Sequence, residues 1–518
     1  MRFLFGTSLI AVAMVSGCTV GPDFTPPTAE VPAKWQDHAQ KGAQSTAVST
    51  TPDTIAWWTS FNDPELTSLI ERARDSNPDL QQAALRIEEA RAQLEAVGAR
   101  NLPSVNLDTS YARTHLSQNG ALALFGGSGG AQTASQSALN GVPSSLVPFS
   151  LPSFDLFQTG FDASWEIDVF GRVRRSVESA EAQAQAVVEA QHDAMISVYA
   201  EVARSYMQLR GIQRLIAVTK DNLRAQQDAY KLTKAQAAGG ETSNLDVESA
   251  AAEVATTEAQ LPALQDQLSH AVNALSYLLD LEPGALEKEL RDAKPLPPNP
   301  PKIPIGMPSE LAHRRPDIRS AEANLHAATA NIGVATADLY PRLTLTGSIG
   351  VQALRFNNLG NWASKFYSIG PALSIPVFNG VTYANITVQE VRQKEAALNY
   401  KTTVLQALHD VENSVSSYEA EQIRLQSLQR AATANANSLN LAQQRYRAGL
   451  SSFLEVLDSE RRLYLSQAEM VRSSVTISTN LIAIYKAVGG GWDIGAPHDP
   501  AQSAAATQVS AAQPTAAK

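Results

Sequence analysis

The chain reads as a mixed α and β membrane protein built by internal duplication, and three observations predict this. Pro78-Asp79-Leu80 to Pro103-Ser104-Val105 overlays Pro316-Asp317-Ile318 to Pro341-Arg342-Leu343 at a constant offset of 238, without a gap. Four short segments alternate apolar and polar residues over strand length, and two Ala/Gln-rich runs are long enough for exceptional helices. Further matches follow at Ile167-Asp168-Val169-Phe170 with Ile375-Pro376-Val377-Phe378, offset 208, and at Ser243 to Val247 with Ser452 to Val456, offset 209. Each half is predicted as helix, strand, loop, strand, long helix, turn, helix.

The elements can be justified in chain order. Arg2 precedes an apolar run of 13 residues, Phe3 to Val15, too short to span a ~30 Å hydrocarbon core as a helix. Residues 1–17 are therefore expected to be a secretory signal peptide. Val15-Ser16-Gly17-Cys18 resembles a bacterial lipobox, which makes Cys18, the one cysteine of the chain, the expected lipidation site. Several acyl chains on that residue would anchor it stably where a single chain would not. Thr19, in place of an acidic residue at the next position, resembles lipoproteins sent to the outer membrane.

No later segment holds 18 uninterrupted apolar residues, so a membrane crossing has to use strands. The alternating segments are Val105 to Ala112, Phe161 to Val169, Leu343 to Val351 and Tyr367 to Ile375. Each is close to the ~9–11 residues that a tilted strand needs to cross hydrocarbon. A soluble sandwich strand with one wet face has the same pattern. Four strands cannot close a barrel alone, and open edges in lipid cost several kcal/mol per unsatisfied group. The membrane reading therefore requires oligomers: two chains give eight strands, three give twelve.

Arg172 to Ala237 and Val381 to Arg447 read as helices of roughly 100 Å at ~1.5 Å per residue. Ser243 to Leu281 and Ser452 to Val488 read as their shorter return arms, with Asp79 to Arg100 and Asp317 to Leu339 sized to stack on those arms. A coiled-coil rod shares this periodicity. Gly239, Gly240 and Gly449 suit the left-handed ends of the long helices, and Ser243 and Ser452 suit the caps of the next. His115 to Phe154 is a Gly/Ser/Pro-rich loop, Pro295 to Pro308 a proline-rich connector, and Ala501 to Lys518 a low-complexity tail expected to be disordered. The predicted organisation is thus signal peptide 1–17, lipidated N-terminal segment 18–62, first repeat 63–282, connector 283–308, second repeat 309–488 and C-terminal segment 489–518.

Cys18-Thr19-Val20-Gly21-Pro22-Asp23-Phe24, Trp57-Trp58-Thr59-Ser60-Phe61-Asn62-Asp63-Pro64-Glu65-Leu66, Arg314-Arg315-Pro316-Asp317-Ile318-Arg319 and Tyr446-Arg447-Ala448-Gly449-Leu450-Ser451 come in one order. Together they resemble the signatures of NodT-type outer-membrane efflux lipoproteins, relatives of TolC and OprM. The resemblance covers Cys18 to about Trp492. It implies a homotrimer with a twelve-stranded transmembrane β-barrel continuous with a long periplasmic α-helical barrel, and an equatorial belt formed by the N-terminal, connector and C-terminal segments. It implies the exit duct of a tripartite efflux pump in the bacterial outer membrane, passing drugs or other small molecules. The implied partners are a periplasmic adaptor, an inner-membrane transporter of the RND type and outer-membrane lipid. A periplasmic structural or adaptor lipoprotein without a pore, or a duct dedicated to a glycolipid or protein, are the other readings.

By the same resemblance, Leu454 and Asp458, with Glu455 and its repeat counterpart Asp246, ring the periplasmic gate. Ser452 to Glu455 also has the form of a capping box, Ser243 to Asp246 a weaker one, and Asp458 can pair with Arg461 or Arg462 on the helix surface. Gly239, Gly240, Thr242 and Ser243, with Gly449, Leu450, Ser451 and Ser452, resemble the tips on which adaptor hairpins dock, besides being ordinary turn residues. Asp108, Asp162, Glu166 and Asp168 are expected on the lumen side of the barrel, favouring cations.

The formal net charge of −10, from 41 basic and 51 acidic residues, offers no field for nucleic acid. The eight histidines lack metal-ligand spacing and Gly126-Gly127-Ser128-Gly129-Gly130 reads as a loop, so no metal site, cofactor or enzyme activity is predicted.

Overall fold

A computed structural model describes residues 19–28, 31–35, 46–48, 55–115, 153–300 and 302–492. The signal peptide, Cys18, the Gly126–Gly130 stretch with most of its loop, and the 501–518 tail lie outside the described residues.

In chain order the main elements are β1 (Thr46–Val48), α1 (Pro64–Ser76), α2 (Pro78–Gly98), β2 (Ser104–Thr114), β3 (Phe154–Ile167), α3 (Arg172–Ala238), α4 (Asn244–Leu278), α5 (Glu287–Leu290), β4 (Lys302–Pro304), α6 (Leu311–Arg314), α7 (Pro316–Ala337), β5 (Arg342–Ala353), β6 (Lys365–Ser374), α8 (Gly380–Arg447) and α9 (Phe453–Ala487). The order α2-β2-β3-α3-α4 recurs as α7-β5-β6-α8-α9, with long helices of 67 and 68 residues and return helices of 35 each. Among the described residues no helix is long and apolar enough to cross a membrane.

The chain forms two compact units, each assembled from pieces of both halves. One comprises residues up to 24, 92–181 and 327–392. Its centre is a four-stranded sheet, β2-β3-β5-β6, antiparallel throughout. Leu107, Phe161, Ile349 and Tyr367 stand in register as one row across all four strands, each more than half exposed. The neighbouring row, on the other face because side chains alternate, is Asn106, Asp162, Ser348 and Ser368. β3 is longer at its start than the alternation suggested and stops at Ile167, two residues early. The stop has a cause: the Asp168 carboxylate accepts from the Arg174 backbone N–H at 2.9 Å and so caps the first turn of α3.

The other unit comprises residues 25–91, 182–326 and 393–518. Asp63 opens α1 by accepting from the N–H groups of Glu65 and Leu66 at 2.9 and 3.1 Å, with Pro64 at the first helical position. Asn77 does the same for α2 and donates its amide to the Leu278 carbonyl at 2.8 Å, so α2 begins where α4 ends. The core joins Trp57, Phe61, Leu66 and Ile70 to Tyr199, Tyr206 and Met207 on α3, Leu275 on α4, and Leu481 and Ile484 on α9. Trp57 stacks on Tyr485 at 5.1 Å and Trp58 meets Tyr199 edge-on at 5.2 Å. The Trp57-Trp58 signature is thus a packing motif. Three-residue strands β1 and β4 pair in parallel, an association that the sequence reading did not foresee.

Candidate functional site: hairpin tips and strand sheet

The tips are built from helix-end chemistry. At the end of α3 the Glu241 N–H bonds the Gln236 carbonyl at 2.9 Å, and at the end of α8 the Leu450 N–H bonds the Arg445 carbonyl at 2.9 Å. Both closures need a residue in the left-handed region, supplied by Gly240 (φ 77°) and Gly449 (φ 68°). Gly239 has ordinary backbone angles. Gly239, Gly240, Ser243, Gly449, Leu450 and Ser452 are exposed, while Thr242 and Ser451 are half-buried.

Of the two expected side-chain caps, one forms and the other does not. Ser243 caps α4 through its hydroxyl on the Asp246 N–H at 3.3 Å, and the Asp246 carboxylate accepts from the Thr242 hydroxyl at 2.6 Å and the Ser243 hydroxyl at 3.1 Å. Ser452 makes no side-chain cap, so the expected capping box with Glu455 is not formed. Apolar contact starts α9 instead: Phe453 is buried against Tyr446, ring centroids 5.3 Å apart.

A small core pins the four long helices together beside the tips, through Ala250, Ala442, Phe453, Val456 and Leu457 with Ala229, Tyr230, Leu439 and Tyr446 packed on it. Polar ties reinforce it: Tyr446 donates to Gln236 at 3.0 Å, Tyr464 to Gln260 at 2.6 Å, and Arg461 pairs with Glu253 at 2.8 Å. Against that inward face, Leu454, Glu455 and Asp458 point outward, Leu454 being 70% exposed. Asp458 pairs with Arg462 at 2.8 Å, both well exposed. Such a surface pair contributes only ~0.2–0.5 kcal/mol.

Glu460 went unnoticed in the sequence. It is 3% exposed on the packed side of α9, and one of its carboxylate oxygens has no partner. Burial pushes its carboxyl up to about 6, and the Glu253 charge adds to the rise against a hydrogen bond from Gln443. Its signal was an acid at an inward α9 position, in helical phase with Phe453, Val456 and Leu457.

On the sheet, Asp108 and Asp162 lie on the polar face, paired in register with Gly160 and Asn106 respectively. Glu166 shares that face but is held by Arg172 at 2.5 Å, and Asp168 lies past the strand end beside Arg174. The four acids are therefore not one equivalent set.

The segment after Cys18 is fixed to the same unit. The buried Arg175 side chain reaches Asp23 at 2.5 Å and the Val20 carbonyl at 3.2 Å. Gly21 sits so close to Gly333 that a Cβ would fall 2.4 Å from its Cα. The Arg314-Arg315-Pro316-Asp317 signature also has a structural explanation. Arg315 clamps Asp317 at 2.7 Å, Asp410 at 3.1 Å and the Ala487 carbonyl at 3.0 Å, joining the start of α7 to α8 and the end of α9.

The family model described as "Outer membrane efflux protein" matches residues 69–280 and 307–490, and the chain belongs to that family. It is 31% identical to Nodulation protein T of Rhizobium leguminosarum bv. trifolii over 499 residues, covering 95% of this chain and 98% of that protein. It is 30% identical to the solvent efflux pump outer membrane protein SrpC of Pseudomonas putida, over 94% of this chain and 98% of that protein. The solved structure of the outer-membrane channel OprN is similar with a TM-score of 0.79 and 33% identity, over 92% of this chain and all of that one. The protein is an outer-membrane efflux protein, and its relatives are channel components rather than enzymes.

Proposed function

We propose that three copies of this chain form the exit duct of a tripartite efflux pump, passing small molecules across the outer membrane. The observation that carries the reading is the sheet: within the chain β2 and β6 are its two outer strands, and Leu107, Phe161, Ile349 and Tyr367 form an exposed apolar row. Unpaired edges cannot stay open in hydrocarbon, so β6 of one copy pairs with β2 of the next until the ring closes at twelve strands. The face with Asn106, Asp162 and Ser348 then lines the lumen, where Asp108 and Asp162 favour cations. The hairpins extend into the periplasm as a helical barrel. Leu454, Glu455, Asp458 and Asp246 form its gate, and the turns at Gly240 and Gly449 receive an adaptor.

Cys18 carries the lipid, and Arg175 tethers Val20 and Asp23 of the segment that follows it. The inner-membrane partner is a transporter of the RND type, which supplies the energy and selects the cargo. The apolar row speaks against an adaptor lipoprotein without a pore, because a periplasmic protein would leave that face in water. The test is detergent extraction followed by planar-bilayer recording in a salt gradient. The duct predicts discrete ion-conducting steps with a cation-selective reversal potential, and a Cys18→Ser protein lacking the lipid mass. A protein released by carbonate that conducts nothing would overturn it.

A further inference from the structure

Four helices converge on a cavity of about 330 Å³ in the second unit, away from the tips. Asp193 on α3, Arg315 and Asp317 at the start of α7, Asp410 on α8 and Lys486 on α9 bring three carboxylates and two cations to it. Most of this charge is already matched: Arg315 holds both Asp317 and Asp410, and Gln406 donates to the second Asp410 oxygen at 2.7 Å. Asp193 and Lys486 are left over. They line the same cavity, the Lys486 charge acts on Asp193, and among the described residues no hydrogen bond or ion pair engages either one. Burial raises the Asp193 carboxyl from its ordinary value, the Asp317 charge adds to the rise, and Lys486 and Arg315 oppose it. Asp193 is half-buried and Lys486 exposed, so the negative group sits deeper than the positive one. Ile196, Pro316 and Ala483 add apolar lining to the cavity, and Asn413 and Ser414 add polar lining.

A small space lined by one uncommitted carboxylate and one uncommitted ammonium has the polarity of a zwitterion reversed. A pocket of this size between helices suits a small ligand. We propose that this cavity binds a small free amino acid, its ammonium on Asp193 and its carboxylate on Lys486. The ligand's charges replace the ion pair that these two side chains do not make with each other. Its ammonium also relieves the cost of ionising Asp193, so binding strengthens as pH rises through that titration.

The test is isothermal titration calorimetry on the full-length protein in detergent, with L-alanine and glycine as probes and methylamine and acetate as half-ligands. One or both amino acids bind, and each half-ligand binds at least tenfold more weakly. Asp193→Asn and Lys486→Met each weaken binding tenfold or more, whereas Asp266→Asn, an exposed acid on α4, leaves it unchanged. Absence of binding for both amino acids at 10 mM overturns the proposal, as does equal binding of a half-ligand or unchanged affinity in both variants. Should a variant fail to fold, the half-ligand comparison on the unmodified protein still decides. The outcome is independent of the conductance that tests the duct.

Discussion

Arg461 on α9 reaches Glu253 on α4 at 2.8 Å, so the return helices of the two hairpins are tied to each other two turns inside their tips. The Glu253 side chain is largely shielded while Arg461 is exposed, which makes this a tie of modest strength in a place where movement would matter. Arg461→Met or Glu253→Gln releases the tips, and single-channel conductance of the resting protein is expected to rise several-fold. The double variant adds little to either single one, because both remove the same contact. Equal conductance in all four proteins would remove this pair from any account of closure.

The outward row of Leu454 and Asp458 makes a separate prediction. Replacing both with alanine takes away an apolar contact and a charge from the proposed aperture without touching the packed side of α9. Resting conductance is expected to increase several-fold in planar bilayers, with thermal stability unchanged. A current equal to that of the unmodified protein would contradict the placement of the gate.

Glu460 gives a prediction in pH. Its carboxyl titrates at about 6 in the folded protein against the ordinary 4.5 of the unfolded chain, so the native state holds the proton more tightly. Stability from this group is fully present below about 4.5 and is lost as pH rises through about 6. Glu460→Gln is therefore expected to raise Tm at pH 7.5, by an amount corresponding to about 1–2 kcal/mol, and to change it little at pH 4. Equal shifts at both pH values would show that the effect is packing and not charge.

Arg210 is fully buried and donates to Glu65 at 2.5 Å, to Gln213 at 2.7 Å and to the Asp292 carbonyl at 2.9 Å. Removing one member of a buried pair strands the other, at a typical cost of ~3–5 kcal/mol. Arg210→Met is expected to lower stability by about 3 kcal/mol, the lower end because Lys294 also reaches Glu65 at 2.6 Å. Chemical denaturation measures it, and a loss below about 1 kcal/mol would refute the structural role given to this network.

Much of this architecture was legible because period-two and helical patterns persist over long stretches. Leu107, Phe161, Ile349 and Tyr367 could each be assigned to an outward face from alternation, and α3 and α8 were readable within a residue or two. The start of β3 was not, because Gln158-Thr159-Gly160 interrupts the apolar alternation and only pairing with β2 and β5 keeps it extended. The β1–β4 pair was invisible for another reason: three residues carry no period, and their partners lie more than 250 positions apart. Ser452 holds the N-cap position that residue chemistry favoured but makes no side-chain cap, and Phe453 packs on Tyr446 at that helix start instead. The Arg461–Glu253 tie was equally hidden, since two charges on separate helices have no sequence signal that joins them.

The central claim is that the free edges of β2 and β6 meet between copies. Native mass spectrometry of the detergent-extracted, full-length protein tests this most directly. The account predicts one dominant species with the mass of three chains, each bearing its lipid. A stable monomer as the main species would contradict it.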